Sequence, residues 1–197
     1  GISRPASGVE HYFSHMWDMR AIERGERADL HGIQVGIGTL LTLKIYEWIR
    51  EITPDGELAR ARMRAFDPAA WEKGIRRLFG STAEQILEME RKTGKNHPGK
   101  HEARLERILE NWPEILAIIE EELPRYDAIR ALMRRVGMPM DPADIQLPPE
   151  AARDAFVGSR DIRDKYLSSS MLWDLGLLDR FGDRLLAHVR EIDEARG

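Results

Sequence analysis

The sequence predicts an all-α, multi-helix fold, and three observations carry that expectation. Apolar residues recur at helical spacing through most of the chain, and no alternating run is long enough for a useful strand. Segment starts carry capping residues, as at Ser7, Asp67 and Ser81. Segment ends carry glycines, as at Gly25, Gly80, Gly94 and Gly137. With 197 residues the chain can bury one substantial core, and its length argues for a single domain over 1–197.

Ser7 and Glu10 have the spacing of a capping box, so a first helix is expected to begin near Gly8 and to end around 22–25. A polar connection over 26–30 then leads to His31, which opens a second helix. Between 35 and 49 apolar residues go round most of the helix, which marks it as the central buried one. Gly32, Gly36 and Gly38 lie within it, each costing about 0.5–1 kcal/mol relative to alanine, so a close backbone contact is expected to compensate.

Thr53-Pro54-Asp55-Gly56 ends that segment as a turn. Asp67-Pro68 opens the next helix, which stops at Gly80, and Ser81-Thr82-Ala83-Glu84 reads as a second capping box for a helix ending at Gly94. After a turn at 96–99, apolar positions at helical spacing run over 100–123, with Pro113 kinking or dividing the segment. Pro124 opens a helix reaching Gly137. The four prolines of 138–149 predict a loop with at most one short turn. Three short helices finish the chain over 150–157, 159–175 with a break, and 178–195.

Composition narrows the function. Hydrophobic residues at 42% and charged residues at 32% are ordinary for a globular protein. A formal net charge of −4 gives no broad attraction to phosphate backbones, so nucleic acid is not an expected partner. The absence of cysteine excludes a disulfide framework and fits a cytoplasmic location. The most apolar run, 35–49, contains Lys44 and Glu47 and is too short to span a bilayer. Gly36-Ile37-Gly38 is not a dinucleotide fingerprint, because no strand precedes it and no third glycine follows at the required offset.

Half of the six histidines lie in the first forty residues. His11 and His15 fall one turn apart on one helix face, about 5–6 Å apart at Cβ, close enough to line one cavity. His31, opening a facing helix, can converge on the same point. Spacing alone leaves metal ligation and ordinary hydrogen-bonded histidines both open. His97, Lys100, His101 and Arg104 cluster near a helix start, where they read as an exposed turn or an anion site. His188 reads as a packing or surface residue, and Trp17, Trp48, Trp71, Trp112 and Trp173 as core residues on separate helices.

The run Ser3-Arg4-Pro5-Ala6-Ser7-Gly8-Val9-Glu10-His11-Tyr12-Phe13-Ser14-His15-Met16-Trp17, followed by His31-Gly32 and Val35-Gly36-Ile37-Gly38-Thr39, resembles the metal-binding segment of glycerol-1-phosphate dehydrogenases. These belong to the superfamily of dehydroquinate synthases and iron-containing alcohol dehydrogenases. Val136-Gly137-Met138-Pro139, Asp144-Ile145 and Ile162-Arg163-Asp164-Lys165-Tyr166 extend the likeness towards the C-terminus.

The resemblance implies an all-α domain of the dehydroquinate synthase-like C-terminal type, with His11 and His31 as metal ligands. It implies a third, carboxylate ligand from an N-terminal nucleotide-binding domain, to which nothing in this sequence corresponds, so the chain is expected to be inactive alone. The ion would be zinc, with nickel or iron as alternatives, and NAD or NADP would be bound mainly by the missing domain. Two imidazoles and a carboxylate leave a position open for a substrate oxygen, as catalytic sites do. The implied reaction interconverts dihydroxyacetone phosphate and sn-glycerol 1-phosphate, a step of phospholipid biosynthesis. His15 is the candidate catalytic residue, as a proton relay or as a group orienting a ligand.

Two other readings stand beside it: a dehydroquinate synthase or a dehydrogenase of unphosphorylated polyols, and a stand-alone helical interaction module. The Ser-Arg-Pro-Ala-Ser-Gly run favours the first. An apolar face left open by the absent domain predicts self-association, and a homo-oligomer is expected.

Overall fold

The computed structural model describes residues 8–25 and 30–196. Ser7 of the opening capping box, the run before it and the connection over 26–29 lie outside the described residues. Among the described residues there are eleven α-helices, two 3-10 turns and no strand, as the periodicity predicts. Among the described residues no helix is long and apolar enough to cross a membrane.

The first two helices, α1 (Val9–Arg24) and α2 (His31–Glu51), form the centre of the molecule. Apolar spacing of three and four buries Val9, Phe13, Met16 and Trp17 of α1, and Gly25 ends the helix in the left-handed conformation at φ 67°. α2 is buried on two sides. Ile37, Leu41, Ile45 and Ile49 face the main core, while Leu40 and Leu43 meet Tyr126 and Met133 in a smaller cluster.

Around this pair come α3 (Gly56–Arg64), α4 (Pro68–Phe79), α5 (Ala83–Thr93), α6 (Pro98–Glu110) and α7 (Trp112–Glu122). The chain closes with α8 (Tyr126–Arg135), α9 (Pro149–Ser159), α10 (Ser168–Asp174) and α11 (Leu178–Glu194). α9 packs against both α1 and α11. Its Phe156 stacks on Phe13 at 6.5 Å between ring centres, and the Trp17 indole N–H donates to the Ala151 carbonyl at 3.1 Å.

Several boundaries differ from the sequence reading for identifiable reasons. α3 was not anticipated, because Ala59 is its only buried residue and its hydrophobic periodicity is silent. Its start is capped by Asp55, whose carboxylate accepts from the Leu58 N–H at 3.0 Å. The capping box over 81–84 does not form. A 3-10 turn, Gly80–Thr82, takes its place, and the Ser81 N–H and hydroxyl both donate to Glu23 of α1 at 2.9 and 3.3 Å. A tertiary acceptor has displaced the local one.

α6 starts earlier than expected, at Pro98, with His97 as its cap accepting from the Gly99 N–H at 3.1 Å. Asn111 divides α6 from α7, and Pro113 sits in the first turn of α7, where its missing N–H breaks no helical bond. The proline-rich loop holds one 3-10 turn, Pro142–Ile145, closed by reciprocal capping between Asp141 and Asp144. Residues 160–167 are irregular and separate α9 from α10.

Three of the five tryptophans, Trp17, Trp48 and Trp112, are core residues, whereas Trp71 and Trp173 are only half-buried. The partly buried pair lines a cleft of about 500 Å³ beside α4 and α6.

Candidate functional site

The site begins with a helix pair that runs antiparallel. Glu10 of α1 lies against Gly38 of α2, and Ser14, one turn further on, reaches back to Gln34 and His31. A Cβ added to Gly38 would stand 2.6 Å from the Glu10 carbonyl oxygen and 3.1 Å from Phe13 Cβ. Here is the close backbone approach that the glycines predict. Gly36 contributes through ordinary packing on Met133 and Met138, whereas Gly32 has nothing nearby and takes no part.

That approach brings the three early histidines together. Ring centres of His11 and His31 are 4.7 Å apart, those of His11 and His15 4.9 Å, and those of His15 and His31 6.2 Å. His11 and His15 are half-buried and His31 is exposed, so the cluster opens to the surface. Burial pushes the His15 imidazole below its ordinary value; His11, Arg163 and His31 act in the same sense, and Asp18 opposes them.

His31 is anchored from α1. Its Nδ1 lies 2.7 Å from Ser14 Oγ, and the Ser14 hydroxyl donates to Gln34 Oε1 at 2.6 Å. Ser14 and Gln34 are buried. Both were missed in the sequence reading, although helical spacing carries the signal: Ser14 follows His11 by three residues and Gln34 follows His31 by three.

The segment over 160–167 brings Arg163 within electrostatic reach of His15 and Tyr12. This segment has no regular structure of its own and is held by side chains. Tyr166 donates to Asp174 at 2.7 Å, Arg104 pairs with both oxygens of the same carboxylate at 2.8 Å, and Lys95 pairs with Asp161 at 2.8 Å. The Arg160 guanidinium lies over the Trp173 ring at 3.8 Å from its centre.

The donor set fits a divalent cation in part. Two imidazoles from facing helices suit zinc and similar ions, which take nitrogen donors at about 2.0–2.1 Å. Glu10 is engaged at the helix start, where its Oε1 accepts from the Gly8 N–H at 2.9 Å. Among the described residues no group of three histidine, aspartate or glutamate side chains is arranged to hold a metal ion.

The basic residues His97, Lys100, His101 and Arg104 have structural partners. His101 Nε2 bonds to the Asp174 carbonyl at 2.8 Å, Arg104 is paired as above, and Lys100 donates to the Thr93 carbonyl. With His97 capping α6, each member of this cluster has a local task. His188 packs edge-on between Trp48 and Tyr126, with ring centres 5.9 and 5.7 Å away.

Comparison with known proteins supports the family likeness. A glycerol-1-phosphate dehydrogenase [NAD(P)+] of Bacillus licheniformis is 24% identical over 176 residues, 89% of this chain and 31% of the relative. One from Geobacillus stearothermophilus is 34% identical over 150 residues, 76% of this chain and 28% of the relative. In Korarchaeum cryptofilum the identity rises to 56% over 41 residues, 21% of this chain and 13% of the relative. The chain therefore spans about a third of the length of the first two. No family model matches, and no solved structure does.

Proposed function

Starting from a chain similar over most of its length to glycerol-1-phosphate dehydrogenases, we propose that it forms the metal-binding, substrate-facing part of such an enzyme. The reaction is the NAD(P)-dependent interconversion of dihydroxyacetone phosphate and sn-glycerol 1-phosphate in the cytoplasm. The observation that carries this reading is the convergence of His11 and His31 from two antiparallel helices, with ring centres 4.7 Å apart.

A divalent cation held there, zinc by ligand preference, would supply Lewis acidity to the carbonyl of the substrate. His11 and His31 would hold two positions of that site, and a carboxylate and the dinucleotide would come from the nucleotide-binding domain that the family likeness implies. We assign the proton transfer to His15, one turn beyond His11, which would relay a proton from solvent to the oxygen left by hydride addition. Arg163 lies within electrostatic reach of Tyr12 and His15, and its guanidinium would supply positive charge to an anion bound there.

Zinc titration of the 197-residue chain tests the first part. One ion per chain is expected, with binding weakened at least about tenfold by His11→Ala and by His31→Ala. Affinity unchanged in both variants would overturn the assignment. In the natural gene product, NAD(P)H-dependent reduction is expected with dihydroxyacetone phosphate and only weakly with dihydroxyacetone. Equal rates would move the reading to an unphosphorylated polyol.

A further inference from the structure

We infer that Ser14 and Gln34 form a tautomer lock that holds neutral His31 with its proton on Nδ1 and leaves the Nε2 lone pair free for a cation. The inference rests on the metal reading above and names residues that position one ligand. It follows from counting protons. A serine hydroxyl has one proton to donate, and that of Ser14 goes to Gln34 Oε1 at 2.6 Å. The 2.7 Å contact between Ser14 Oγ and His31 Nδ1 must then be an N–H donating to oxygen.

Geometry supports the chain of bonds. Ser14 comes from α1, while His31 and Gln34 lie three residues apart on α2, so the serine bridges two neighbours on one helix face. Ser14 has no exposed surface and Gln34 is 3% exposed, so water does not compete for the bond between them. His31 itself is exposed, which leaves the rest of its ring accessible. A ligating histidine is commonly fixed in this way, its second nitrogen bonded to an oxygen that sets tautomer and orientation.

The lock is read directly from long-range proton–nitrogen-15 correlation spectra of the metal-free chain, at a pH where the ring is neutral. His31 is expected as the Nδ1–H tautomer in the unaltered protein and as the Nε2–H tautomer in Ser14→Ala. Gln34→Leu frees the serine proton to point at Nδ1 and should also switch the tautomer. Gln34→Glu, which can only accept at that position, should retain it. An Nε2–H tautomer in the unaltered protein, or an unmoved Nδ1–H tautomer in Ser14→Ala, overturns the lock. If Ser14→Ala does not fold, the Gln34→Leu and Gln34→Glu pair decides alone, and the same tautomer in both overturns it.

Zinc affinity is expected to fall about tenfold to a hundredfold in Ser14→Ala. A tautomer that switches as described, in a natural gene product that binds no zinc, would support the lock and sink the metal reading, so the two fail separately.

Discussion

Gly38 of α2 lies against the Glu10 carbonyl of α1 with only 2.6 Å between that oxygen and where a Cβ would stand. The obstacle is backbone, so the neighbour has no rotamer by which to withdraw. The same approach sets the separation of His11 and His31, which makes the glycine part of the site's construction.

Gly38→Ala is therefore expected to destabilise the protein by about 2–3 kcal/mol, in the range of overpacked cores. Urea unfolding checks the stability change. Nuclear magnetic resonance checks whether the His11 and His31 ring signals move with it. Gly32→Ala serves as the control, since nothing lies within 4 Å of its Cβ position. That control should be neutral or slightly stabilising, because alanine favours the helix.

Arg104→Ala removes both guanidinium bonds to Asp174, a carboxylate with 1% side-chain exposure. Leaving a buried charge with only Tyr166 and no cation should cost about 3 kcal/mol or more. The segment over 160–167 loses an anchor at the same time. Hydrogen exchange of residues 160–167 is expected to speed up more than that of α2, and equal protection in the two would argue against the anchor.

Asp144 accepts from Arg196, and from the backbone N–H groups of Met140 and Asp141. Arg196 contributes most, and together they hold the carboxyl at about 2 against its ordinary 3.8. A lowered carboxyl pKa favours the folded state above the ordinary value, and that stability is lost as pH falls through about 2. Arg196→Ala should lower stability near pH 7 by about 1 kcal/mol after solvent screening, or roughly 2–4 °C in Tm. Thermal melts from pH 7 downward should show the gap between the two proteins closing near pH 2. A gap that persists there would rule out this origin.

Zinc binding to the folded chain alone must raise Tm, since an ion that binds the native state stabilises it by mass action. At a hundred times the dissociation constant the gain is about 2.7 kcal/mol. The rise should vanish in His11→Ala and His31→Ala and persist in His97→Ala, whose ring caps α6 instead. Removing the ion with a chelator should restore the original Tm.

Much of this molecule was legible in its chain. Helical periodicity and punctuation at Gly25, Gly80 and Gly94 place the ends of three helices, because those features act within one or two turns of backbone. The histidine spacing likewise puts His11 and His15 on one face. Tertiary structure decided what local rules could not reach. Ser81 turns from its expected capping box to Glu23 of α1, a partner 58 residues away in sequence. The irregular segment over 160–167 carries Arg163 within electrostatic reach of His15 and is held by Arg104 and Asp174. The meeting of His11 with His31 depends on helix packing across Gly38. Short-range spacing determines which face a residue occupies, but the distance between two faces is set by the side chains, or their absence, at the crossing.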